Sequence, residues 1–175
     1  MKTLSSTSTV KSISLIMLFI SQITFSQSAE KLFNIAFQKS DSGDFKGAIE
    51  YYTKCIELEP NLTEAYHNRA LNRGNLKDYE GAISDYNKCI SIDSTTFDYY
   101  YNRGTAKYFM SDFIGCIKDN SKVITLNPNF GLAYLNRGLA SVIIGDKVGG
   151  CLDLNKAKEL KAKNAEEIII DYCSD

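Results

Sequence analysis

The chain has 175 residues, and 20 Lys+Arg against 21 Asp+Glu give it a formal net charge of −1. This balance argues against binding to nucleic acid, which needs a basic surface, and against a polybasic membrane anchor. With 2 prolines, 11 glycines and 44% hydrophobic residues, the composition excludes fibrous and disordered classes. We therefore expect one folded domain with its own core and no nucleic-acid partner.

The N-terminal segment differs in kind from the rest of the chain. A polar start that ends at Lys11 leads into the apolar stretch Ile13–Ile20, and the small residues Ser26 and Ser28 follow. This order is typical of a secretory signal peptide, and the apolar run is shorter than the roughly 20 residues of a membrane-spanning helix. We expect residues 1–28 to be a signal peptide, cleaved after Ser26 or Ser28. The mature protein is then exported (periplasmic or secreted) without a stable membrane span; the alternative is an uncleaved N-terminal anchor.

From residue 29 onward the sequence repeats with a period of 34. A tyrosine, an Asn-Arg dipeptide and an aspartate all keep this interval. They are Tyr66, Tyr100 and Tyr134; Asn68-Arg69, Asn102-Arg103 and Asn136-Arg137; and Asp44, Asp78, Asp112 and Asp146. The period divides the chain into four units, residues 29–62, 63–96, 97–130 and 131–164. Each Asp lies where a second helix should begin, because its side chain can accept hydrogen bonds from the free N–H groups there.

Small residues recur at two places in every unit, where two helices could approach closely. They are Ala36 and Ala48, Ala70 and Ala82, Gly104 and Cys116, and Gly138 and Gly150. With the period of 34 and the aromatic places, this pattern resembles the tetratricopeptide repeat. The resemblance implies an all-α fold, a right-handed superhelical array of four helix–turn–helix hairpins. It also implies a non-enzymatic scaffold that binds a protein or peptide.

Residues 165–175 follow the fourth unit and form a separate element. They have room for about two helical turns, which we expect to be a capping helix with a short tail. Ile168, Ile169 and Tyr172 should cover the apolar end of the array. Alternatively, this Ile-rich end pairs with a second copy, which would make the protein a self-associating structural subunit and a homo-oligomer.

Five cysteines occur in the chain. Cys55, Cys89 and Cys116 occupy core places of the repeat, so we interpret them as small, inert core residues. Cys151 and Cys173 are less constrained, and the sequence leaves open whether they form a disulfide.

A second pattern joins the two halves of a unit. Units two to four carry an Arg followed 16 residues later by an Asp: Arg69 and Asp85, Arg103 and Asp119, Arg137 and Asp153. Unit one has neither, with Ile35 and Tyr51 at these places. We predict that each pair is a structural ion pair between the helices of one hairpin. The alternative is an arginine ladder that binds phosphate or carboxylate groups of a ligand.

The resemblance further implies that the first helix of each hairpin lines a concave groove. Its inward places hold Phe33, Phe37, His67, Asn68, Leu71, Tyr101, Asn102, Leu135, Asn136 and Leu139. We expect an apolar, aromatic groove with a row of amides that binds an extended or helical peptide. The family's carboxylate clamp uses Lys, Asn, Asn, Lys and Arg, and only Asn68 matches it. We therefore do not expect binding of chaperone tails.

The sequence contains no constellation typical of an enzyme. His67 is the only histidine, so a nucleophile–histidine scheme would depend on one residue with no assigned partner. No phosphate-binding glycine loop and no CxxC motif occur. We therefore expect no enzymatic activity, no cofactor and no metal.

Overall fold

The computed structural model describes residues 28–174, which contain nine helices and no strand. The helices are α1 (28–41), α2 (Phe45–Leu58), α3 (Thr63–Asn75), α4 (Tyr79–Ile92), α5 (Phe97–Phe109), α6 (Phe113–Leu126), α7 (Gly131–Ile143), α8 (Lys147–Glu159) and α9 (Ala165–Cys173). The first eight form four hairpins, each with an A helix (α1, α3, α5 or α7) and a B helix. The predicted all-α array of hairpins is confirmed. The expected signal peptide lies outside the described residues, apart from Ser28.

The turn between the helices of a hairpin has the same construction four times. The turn after each A helix contains a residue with positive φ: Gly43 (82°), Lys77 (61°), Ser111 (62°) and Gly145 (97°). The next residue is always the Asp of the repeat, whose side chain accepts a hydrogen bond from a backbone N–H three residues later in the B helix. The predicted helix starts are therefore confirmed, and one local geometry fixes the angle of every hairpin.

The small facing residues allow the paired helices to touch. Ala36, Ala48 and Ala70 are completely buried. In the fourth hairpin the contact is closer still: a Cβ on Gly138 would lie 2.8 Å from the carbonyl oxygen of Gly150. Gly150 therefore has a packing role that outweighs its low helix propensity, and α8 runs unbroken through it.

Helix α9 packs antiparallel to α8 and closes the C-terminal end. Ile168, Ile169 and Cys173 contact the buried cluster around Leu154. Tyr172, which we expected to share this cap, is instead 44% exposed because it lies on the outward side of the helix. A disulfide joins Cys151 of α8 to Cys173 of α9 and so answers the question that the sequence left open.

The other three cysteines are free and buried. Burial raises the pKa of Cys55 and Cys116 to about 11 and that of Cys89 to about 12. Because the thiolate is the reactive form, these thiols are unreactive in the folded protein.

Candidate functional site

The A helices form one continuous face of the array. Helix α3 contacts α5, and α5 contacts α7. Within residues 28–174, no comparable contact joins the B helices of neighbouring hairpins. The A helices therefore form the inner layer of the curved array, where the predicted groove residues lie.

Half of the predicted groove residues pack inside or between hairpins. Phe33 makes an edge contact with Tyr52, with ring centroids 5.3 Å apart, and Tyr101 makes one with Phe130 at 5.0 Å. Leu135 is only 8% exposed, and Leu139 packs against the same C-terminal cluster. Because α8 and α9 cover Leu135, its side chain is not available to a partner.

His67 also belongs to this packed group. Its ring lies against Tyr99 and Tyr86, with centroids 5.3 Å and 6.0 Å away. Its Nε2 is buried without a hydrogen-bond partner. Burial lowers the pKa of His67, and the carboxylates of Asp98 and Glu64 only partly oppose this shift. The imidazole is therefore a neutral packing group between hairpins two and three.

The remaining predicted residues are accessible to a ligand. Phe37 is 56% exposed and Leu71 is 39% exposed. Asn68, Asn102 and Asn136 are partly exposed and stand in a row along the A helices. Asn136 donates to the Thr105 hydroxyl at 3.3 Å. Within the described part of the chain, the side-chain amides of Asn68 and Asn102 make no hydrogen bond.

A cavity of about 380 Å³ opens between hairpins two and three. Leu71 and Asn102 line it, as predicted groove residues, and Ala106, Tyr79 and Phe109 complete its walls. The rings of Tyr79 and Phe109 stack with centroids 5.1 Å apart and planes at 11°. Phe109 also occupies an inward place of the repeat, whereas our groove prediction omitted Ala106 and Tyr79, although the smallness of Ala106 was a signal for a recess.

The Arg–Asp pairs occupy the space between the helix layers. In each pair Nε and Nη2 of the Arg donate to both carboxylate oxygens of the Asp, at 2.6–2.9 Å. The remaining Nη1 donates to the B helix of the preceding hairpin. Its acceptors are Thr53, Asn87 and Ser121, which are also 34 residues apart. Each guanidinium thus joins three helices and has little donor capacity left for a ligand.

The Asp residues differ in how many cations surround them. Asp85 also accepts from Arg73 at 2.8 Å, and Asp119 accepts from Lys107 at 2.8 Å. Asp153 has Arg137 alone, and its side chain is 16% exposed against 2% for Asp119. The ion-pair network is therefore densest in the middle of the array.

The architecture matches that of a known family of repeat proteins. The family model of the tetratricopeptide repeat matches residues 32–62 and 63–96, which are hairpins one and two, and hairpins three and four repeat their geometry. Hairpins one and two are tetratricopeptide repeats, and the whole array has the fold of that family. No curated protein matches the sequence significantly. Repeats of this family are typically non-enzymatic modules that bind protein or peptide partners.

Solved tetratricopeptide-repeat structures are similar to the chain over most of its length. A crystal structure of MamA is 26% identical with a TM-score of 0.74, covering 79% of this chain and 81% of that one. The first such domain of Spaghetti (RPAP3), bound to the HSP90 peptide SRMEEVD, is 27% identical with a TM-score of 0.65, covering 68% and 94%. A repeat protein from Parabacteroides merdae shares the fold at 20% identity and a TM-score of 0.72, covering 78% and 55%.

Within residues 28–174, no helix is both long and apolar enough to span a membrane.

Proposed function

We propose that this protein is an exported scaffold that binds a segment of a partner protein on its A-helix face. The cavity between hairpins two and three supports this proposal most directly. Its volume of about 380 Å³ suits one large apolar or aromatic side chain, and Leu71, Phe109 and Tyr79 offer apolar walls. The unpaired amide of Asn102 at its edge can bond the backbone of the bound segment.

The accessible residues define the rest of the proposed groove. Phe37 and Leu71 supply apolar contact area in hairpins one and two, and Asn68 and Asn102 supply amides. Five of the other predicted groove residues are packed beneath this surface: Phe33, His67, Tyr101, Leu135 and Leu139.

The proposed ligand differs from that of the chaperone-binding relative. The acidic peptide SRMEEVD is bound by the Spaghetti (RPAP3) domain. The three places that hold cations in a carboxylate clamp are occupied here by Phe33, Asp98 and Asn102. A labelled SRMEEVD peptide should therefore show no saturable binding to this protein in fluorescence anisotropy.

Binding at the cavity can be tested by affinity capture followed by calorimetry. Proteins that the wild type captures from a cell extract are identified, and the segment of the main partner that binds is synthesised as a peptide. We expect the double variant L71D/F109S to weaken binding of this segment at least about tenfold, because it removes two apolar walls. The control is I114S, which removes an even more exposed apolar residue, but from a B helix. Unchanged affinity of L71D/F109S, with its circular dichroism intact, would exclude this site.

The export proposal needs a separate test. The full chain, expressed in a bacterial host, is fractionated and the recovered protein is weighed by mass spectrometry. Cleavage after Ser26 or Ser28 and recovery outside the cytoplasm are the expected results. Full-length protein confined to the cytoplasm would contradict the proposal.

A further inference from the structure

Four exposed positions around the A–B turn change from polar to apolar along the array. Hairpin one holds Asp41, Ser42, Lys46 and Glu50 there, and hairpin four holds Ile143, Ile144, Val148 and Leu152. Hairpin two has one large apolar residue at these places and hairpin three has three. All of these side chains are exposed. Because the same turn forms with polar residues in hairpin one, packing within a hairpin does not require the apolar ones.

The apolar members gather at the C-terminal half of the array. Phe109 and Ile143 end their A helices and are left aside. We name the other apolar members, together with Ile170 on the adjoining helix α9, the turn edge: Met110, Ile114, Ile144, Val148, Leu152 and Ile170. Each is 42–77% exposed. The disulfide between Cys151 and Cys173 holds α9 against α8, and Ile170 lies on α9 one helical turn before Cys173. Surface apolar residues occurring singly are ordinary, but a cluster of six indicates an interaction surface.

The charges around the turn edge indicate what covers it. Exposed charges of both signs border the turn edge: Lys118 and Lys147 are basic, and Asp112, Asp146 and Asp171 are acidic. An anionic membrane would require an excess of basic residues, and a strongly charged partner would require one dominant sign. An apolar centre with a rim of both signs can instead be complementary to itself, as the two halves of a two-fold symmetric interface must be.

We propose that a second copy of this chain covers the turn edge, so that the protein forms a two-fold symmetric dimer through α6, α8 and α9. In such a dimer Lys147 and Lys118 of one copy face Asp171 and Asp146 of the other. The cap contributes through Ile170 only, because Ile168 and Ile169 are directed into the core. The A-helix face remains open, so the dimer neither requires nor blocks peptide binding there.

The mass of the purified protein, measured by light scattering during gel filtration, tests the proposal. The wild type should elute as a dimer at about 100 µM and dissociate on dilution. The variant V148E/L152S should be monomeric, with at least about a tenfold higher Kd for the dimer. It carries the residues that hairpin two has at the same exposed places, Glu80 and Ser84, so the helix should fold normally. Circular dichroism checks this directly.

Two controls make the result specific. The groove variant L71D/F109S should remain dimeric, because its substitutions lie on the A-helix side. Sedimentation with anionic phosphatidylserine vesicles should leave the wild type in solution. A monomeric wild type, a dimer that survives V148E/L152S, or vesicle binding abolished by V148E/L152S would each overturn the proposal.

Discussion

Hairpins one and three have the same backbone geometry but different interior chemistry. Hairpin one places Ile35 and Tyr51 where the other hairpins have an ion pair, and its B helix buries the ring of Tyr52. Hairpin three buries Asp119 between two cations, with Asn120 beside it at the place that corresponds to Tyr52. What the hairpins share is the turn, the Asp cap and the small facing residues. These features define the fold, and the core chemistry can vary around them.

The largest expected effect comes from breaking the network of hairpin three. D119A leaves Arg103 and Lys107 partly buried without their carboxylate, so we expect the free energy of unfolding to fall by about 3–5 kcal/mol. Urea unfolding followed by circular dichroism measures it. D153A is the matched control: its carboxylate is more exposed and pairs with one Arg, so it should cost clearly less. Equal stability of D119A and wild type would mean that the network is not structural.

The buried amide of hairpin three allows a prediction of the opposite sign. Asn120 is completely buried, and its Oδ1 has no hydrogen-bond partner. Hairpin four has Leu154 at this place, packed against a glycine just as Asn120 packs against Gly104. N120L should therefore raise the free energy of unfolding by about 1–2 kcal/mol in the same urea assay. The reverse change, L154N, should lower it; a loss of stability in N120L would contradict this account.

Replacing the ion pair of hairpin four by the uncharged residues of hairpin one compares these two hairpins directly. The double variant R137I/D153Y gives hairpin four the residues that hairpin one uses. Because both charges leave together, its stability should stay within about 1 kcal/mol of wild type. R137I alone strands the carboxylate of Asp153 and should be less stable than the double variant. Thermal unfolding of the wild type and the two variants measures this difference. A double variant as unstable as R137I would mean that the ion pair cannot be replaced by the residues of hairpin one.

The smallest expected effect concerns the turn. Hairpin one has Gly43 at the positive-φ place, and hairpin three has Ser111 with φ of 62°. S111G removes the strain of a side chain in this conformation, partly offset by the greater freedom of glycine in the unfolded chain. We expect a gain of about 0.5–1 kcal/mol in free energy of unfolding. G43S should show the reverse change, and a destabilised S111G would contradict the explanation.

The repeat made much of the fold predictable, because the determinants of a hairpin lie within one 34-residue unit. The Asp caps and the Arg–Asp spacing are local in this sense. The exposure of groove residues is not. Leu71 and Leu135 both read as inward-facing leucines, but α8 and α9 bury Leu135, whereas a cavity lies beside Leu71. The third partners of the arginines, such as Thr53, also escaped prediction because they share a place in the repeat but not a residue type.

The disulfide between Cys151 and Cys173 should make the two ends of the array differ in how readily they unfold. In a linear array the terminal hairpins normally open first, because each has a neighbour on one side only. Here the C-terminal end is closed covalently across 22 residues, whereas α1 at the other end is held by packing against α2 and its neighbours. Unfolding should therefore start at hairpin one and proceed toward the C-terminus. Hydrogen exchange should be fastest in α1, and a reductant should bring the exchange of α9 up to a similar rate.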